Sequence, residues 1–130
     1  MPKPQPQNTL RLIKRCAEDI PIENINQLAK GLRGIYVLYN GDSVVYVGMA
    51  TTERTGIRGR LKSHRAKKSD LWSYCSVFEV WENVRHDEIA ELEGLFRHIY
   101  RCDPVANKLN KQRGYRPLKL VTDNNIETWT

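Results

Sequence analysis

Glu93 stands in an apolar setting, four residues after Ile89 and three before Phe96, beside the stripe Ile89, Leu92, Phe96 and Ile99. A carboxylate at the edge of a core is uncommon unless it is paired or binds a metal. Arg60 and His64 are four residues apart and so stack on one side of a helix. Tyr36 and Tyr46 lie in two short β-prone runs with Asn40-Gly41 between them. In chemical terms these groups can hold a hard cation, neutralise a phosphoryl oxygen, move a proton and orient a water. The bland alternative is an ordinary hairpin and helix whose tyrosines and carboxylate satisfy a core.

The charge distribution points the same way. The chain has 130 residues, a formal net charge of +6 and a pI near 9.4, a balance that favours a polyanionic partner. Between positions 54 and 68 there are seven basic residues and no acid: Arg54, Arg58, Arg60, Lys62, Arg65, Lys67 and Lys68. A second cluster, Lys108, Lys111, Arg113, Arg116 and Lys119, lies near the C-terminus. Between them sit Glu79, Glu82, Asp87, Glu88, Glu91 and Glu93. Basic flanks around an acidic helix suit a phosphate-binding surface with a carboxylate at its centre. No apolar run reaches the roughly 18–20 residues that span a bilayer, and the opening MPKPQPQ lacks the apolar centre of a secretory signal. Cys16, Cys75 and Cys102 are odd in number, widely spaced and without zinc-type spacing. Reduced thiols in a cytoplasmic setting are the expectation.

Elements must position these groups. Residues 1–7 read as a disordered lead-in, and 8–32 as an N-terminal helical extension. In that extension Leu10, Ile13, Ala17 and Ile20 recur at helical spacing until Pro21, and a second short helix follows over 22–29. Strands are expected at 33–39, 43–48 and 74–81, with helices at 54–66 and 86–101. This is an α/β chain with a small central three-stranded, mainly antiparallel sheet flanked by helices. The catalytic-type residues fall within 33–110, and the tail 111–130 is expected to pack on that domain.

Register decides whether the tyrosines can cooperate, because one residue of slip moves a side chain to the other face. A two-residue loop at Asn40-Gly41 puts Tyr36 beside Val45, with Tyr46 on the opposite face. A three-residue loop over 40–42 sets Tyr36 directly across from Tyr46. Cooperation thus requires an odd loop or a bulge.

The ordered set of GIY at 34–36, YVG at 46–48, Arg60, His64, Glu93 in ELEGLF and Asn107 in DPVANK resembles the GIY-YIG nuclease superfamily. The match covers residues 34–108. The resemblance implies the GIY-YIG fold and a metal-dependent endonuclease that hydrolyses phosphodiester bonds in DNA. Tyr36 is then the general base or the group that orients the attacking water, and Tyr46 positions water and the scissile phosphate. Arg60 neutralises the phosphate, His64 assists proton transfer or binds phosphate, and Asn107 braces the site. Glu93 holds one divalent metal, Mg2+ or Mn2+, and is preferred to Glu91 because it follows an apolar residue, Leu92. DNA contacts are expected from Arg54, Arg58, Lys62, Arg65, Lys67, Lys68, Lys108, Lys111 and Arg113. YVG replaces YIG, and Met49 stands where some members carry a Lys. The other functional class compatible with these residues is a non-catalytic DNA-binding module that keeps the fold.

Overall fold

Alternating β-branched and aromatic residues on both sides of a Gly-Asp turn build a hairpin, and the rest of the sheet grows from it. The computed structural model describes residues 10–68, 71–99 and 124–129. Its elements are β1 (Ile13–Pro21), a 3-10 segment (Ile22–Gln27), β2 (Gly34–Asn40), β3 (Ser43–Ala50), α1 (Gly56–Lys68), β4 (Tyr74–Val80), α2 (His86–Ile99) and a 3-10 turn (Ile126–Thr128). The four strands form one antiparallel sheet in the order β1-β4-β2-β3. Among the described residues no helix is long and apolar enough to cross a membrane.

Two expectations fail at the N-terminal side. The first expected helix is instead β1, so the sheet has four strands and not three, and the described residues 10–32 of the expected helical extension contain no α-helix. The second expected helix is reduced to the 3-10 segment. The physical reason is that the apolar residues serve two faces rather than one. Leu12 and Ile13 pack into the cluster under α2, while Ile20 and Ile22 pack into the cluster under α1. A helix would gather them on a single stripe. Irregularities in the β1–β4 pairing, with Asp19 at φ 56°, let one strand make that change. Pairing with β1 also covers the backbone edge that β4 would otherwise expose. Two exposed ion pairs fix the register, Lys14 Nζ to Glu82 Oε1 at 2.8 Å and Arg15 Nε to Glu79 Oε1 at 2.5 Å. Such pairs add about 0–1 kcal/mol each, so they select an alignment more than they stabilise it.

A core lies on each face of the sheet. On one, Tyr36, Leu38, Tyr46 and Cys75 meet Ile57 and Leu61 of α1. On the other, Ile35, Val37, Val47 and Val80 meet Ile89, Leu92 and Phe96 of α2. The alternation along β2 sends Tyr36 and Leu38 to the α1 side and Ile35 and Val37 to the α2 side.

The hairpin register also differs in detail from expectation. The loop is the two residues Gly41-Asp42, with Asn40 opposite Ser43 and Tyr39 opposite Val44. Val45 is then an extra residue, after which Leu38 pairs with Tyr46 and Tyr36 with Gly48. The tyrosines are diagonal neighbours and not directly opposed. The bulge, rather than a three-residue loop, puts both on the α1 face.

Candidate active site

On the α1 face three aromatic side chains converge. The Tyr36 and Tyr46 rings stack with centroids 6.1 Å apart and 29° between their planes. His64 lies over both, its ring centroid 5.5 Å from that of Tyr36 and 4.7 Å from that of Tyr46. The Tyr36 hydroxyl is 2.8 Å from His64 Nε2. Ile57, Leu61 and His64 follow one another at helical spacing and all are buried, so His64 continues the apolar stripe of α1 into the site. Sequence spacing paired His64 with Arg60 on a flanking face. The structure instead buries His64 and leaves Arg60 exposed.

The glycines of the two tripeptides permit this packing. A Cβ on Gly48 would lie 2.5 Å from the Tyr36 hydroxyl oxygen and 2.7 Å from Tyr46 Cε1, inside both rings' contact distance. The Tyr36 ring therefore occupies the space that any side chain at 48 would take. Gly34 sits at φ 150° against β4, where a Cβ would collide with the Phe78 carbonyl oxygen. The Gly at each position is a packing requirement of the sheet before it is a motif.

Glu93 approaches from α2. It is 7% exposed, and its Oε1 lies 2.7 Å from Arg97 Nε. Burial raises its carboxyl above the ordinary value, and the Arg97 charge only partly opposes this. Arg97 Nη2 lies 3.5 Å from the carbonyl oxygen of Val47, the residue between Tyr46 and Gly48. Glu93 is thus linked to the tyrosine-bearing strand through Arg97. Its helix, however, packs on the face opposite the tyrosines, and its described partner is Arg97. Glu91 is exposed. Among the described residues no three His, Cys, Asp or Glu side chains gather where they could hold a metal. A magnesium ion that keeps most of its waters needs one or two carboxylates. By donor type Glu93 suits such an ion, but Arg97 is already on one of its oxygens and its helix lies on the face opposite the tyrosines.

The basic residues of α1 and of the turn before it are largely exposed. Arg54, Lys62, Arg65 and Lys67 are exposed and Arg58 is half-buried. Arg54, Arg58 and Lys62 line a recess at the start of α1 together with Lys30. Lys30 was not anticipated, because it is remote in sequence from the basic run. Asn107, Lys108, Lys111 and Arg113 lie outside the described residues, as do the Lys68 side chain, the lead-in 1–7 and most of the tail.

Arg97 also escaped the sequence reading, although Glu93-x-x-x-Arg97 has the spacing of a helical ion pair. Arg33 was missed for a different reason. Its guanidinium donates to the carbonyls of Thr51 at 3.0 Å, Glu82 at 3.3 Å and Val84 at 2.5 Å, tying the ends of β3 and β4 together behind the site. No local pattern announces a side chain whose partners are three distant carbonyls. Comparison with known proteins adds no assignment: no family model matches the chain, and neither a curated protein nor a solved structure matches it significantly.

Proposed function

We propose that the chain is a metal-dependent endonuclease of the GIY-YIG type, cutting phosphodiester bonds in DNA in a cytoplasmic setting. On this reading β2, β3, β4, α1 and α2 form the nuclease fold, and β1 is an added edge strand. The single observation that carries the reading is the Tyr36–His64 hydrogen bond beside the stacked Tyr46. Two tyrosines and a histidine brought from three elements to one point are groups able to supply the proton transfer that hydrolysis of a phosphodiester needs.

The residues divide the work. A free tyrosine, with pKa near 10, is a weak base at neutral pH. With His64 Nε2 unprotonated, the Tyr36 hydroxyl donates to it. As Tyr36 takes a proton from the attacking water, its own proton passes to His64, so neither a free phenolate nor a free hydroxide need accumulate. Tyr46 holds the Tyr36 ring and lends a second hydroxyl for orienting water and phosphate. Arg60, exposed on α1, offers a planar donor fork to the phosphoryl oxygens. Glu93 holds the divalent ion, Mg2+ or Mn2+, which when bound supplies Lewis-acid stabilisation of phosphoryl charge. Arg54, Arg58, Lys62, Arg65 and Lys67 contact the DNA backbone through salt-sensitive attraction.

The second reading, a non-catalytic DNA-binding module, draws on the Glu93–Arg97 pair, which neutralises the carboxylate a metal requires. Incubation with supercoiled plasmid and Mg2+ or Mn2+, beside Glu93→Ala, separates the two. The nuclease nicks and the variant does not. Equal nicking by both proteins removes the metal role of Glu93. Salt-dependent binding without cutting in either metal favours the module.

A further inference from the structure

Arg97 sits on the carboxylate that the proposed function assigns to a metal. Its Nε is 2.7 Å from Glu93 Oε1, and the two side chains are only 18% and 10% exposed. This is not a surface pair exchanging freely with water. The i,i+4 arrangement with the acid on the N-terminal side is the favourable helical geometry, so α2 itself holds the contact. Arg97 Nη2, 3.5 Å from the Val47 carbonyl, gives the guanidinium a second reason to stay.

We propose that Arg97 is an internal counter-cation on Glu93 that a divalent ion must displace, making metal binding and the Glu93–Arg97 contact mutually exclusive. The inference rests on the metal role proposed for Glu93. A magnesium ion approaches a carboxylate oxygen to about 2.1 Å. A guanidinium held on the same carboxylate would then face a divalent charge across one carboxyl group, in a place that water barely reaches. The like charges repel strongly there because little solvent screens them. The guanidinium also keeps the carboxylate compensated when no metal is present, which a buried lone carboxylate would lack. The site is therefore stable without metal and weak for it, and it binds metal better when something draws Arg97 away.

Calorimetric titration with Mn2+ in the absence of DNA tests this on wild type, Arg97→Gln and Glu93→Gln, each checked for folding by circular dichroism. Arg97→Gln is expected to bind Mn2+ more tightly by about tenfold, the ordinary size of a coupling between two ligands, and Glu93→Gln to lose the binding. Unchanged or weaker binding by Arg97→Gln, with Glu93→Gln silent, overturns the displacement while leaving Glu93 as the ligand. Equal binding by all three proteins overturns the displacement and the metal role together. A second measurement needs no substitution and decides the matter if Arg97→Gln fails to fold. In arginine-labelled wild type, Mg2+ should accelerate hydrogen exchange at Arg97 Nε by severalfold as the contact opens. Saturating Mg2+ binding that leaves this exchange unchanged overturns the proposal.

Discussion

The Tyr36 hydroxyl lies 2.8 Å from His64 Nε2, joining β2 to the third turn of α1 on the α1 face of the sheet. Both residues are nearly inaccessible, at 2% and 3% exposure. A buried hydroxyl and a buried imidazole that satisfy each other hold one fixed geometry, because losing either partner leaves the other uncompensated. With His64 Nε2 unprotonated, as the proposed function requires, the same contact gives the tyrosine a proton acceptor. Structure and proposed chemistry therefore make the same demand on these two side chains.

Gly48→Ala tests the packing that makes this contact possible. The added methyl falls within 2.7 Å of Tyr46 Cε1 and nearer still to the Tyr36 ring, so the rings must move. Overpacking of this kind costs about 1–3 kcal/mol. The variant should melt at lower temperature and show an altered near-ultraviolet circular dichroism signal from its tyrosines. An unchanged melting temperature and spectrum would contradict the stacked arrangement.

Glu93 predicts a pH dependence. Burial holds its folded-state carboxyl above the ordinary 4.5, outweighing the opposite pull of Arg97. A raised acid binds its proton more tightly folded than unfolded, so its contribution to stability is fully present below the unfolded pKa. That contribution is lost as pH rises through the folded value. With metal chelated, the stability of wild type relative to Glu93→Gln should decline as pH rises from the ordinary carboxylate range toward neutrality, then level off. Paired thermal melts measure this, and a wild type that gains on Glu93→Gln with rising pH would reverse the sign.

The two described thiols should differ sharply in reactivity. Burial pushes the Cys75 thiol up to about 12, whereas Cys16 is exposed on β1. Only the thiolate attacks an alkylating reagent at a useful rate. Labelling the native protein and mapping its peptides should find Cys16 modified and Cys75 protected until denaturant is added. Equal native labelling would mean that the core around Cys75 opens readily.

The parts of the fold that sequence reveals are those set by local alternation. Along β4, Cys75 and Val77 go to one face and Phe78 and Val80 to the other, as their order requires. The α2 stripe of Ile89, Leu92 and Phe96 is equally plain, because a helix repeats its face every three or four residues. β1 was not legible. Its apolar residues mimic a helical period, and it is the two cores they must serve, together with the unpaired edge of β4, that make a strand the better solution. The bulge at Val45 lies between these cases: a shared face for the tyrosines demanded an odd loop or a bulge, but not which. Within the site, His64 could be named, but not its burial, which depends on α1 lying across β2 and β3. The place of Glu93 at the edge of the core follows from its setting in the α2 stripe, whereas its pairing with Arg97 is not among the sequence expectations.

The most direct test is the single-turnover rate of plasmid nicking in Mn2+ by wild type and by Tyr36→Phe. The substitution removes one oxygen and the hydrogen bond to the buried His64, at about 1–3 kcal/mol of stability, and leaves the ring in place over Gly48. If Tyr36 and His64 move the proton of the attacking water, wild type nicks and the variant is slower by about 100-fold or more. Equal rates for the two proteins would contradict the account.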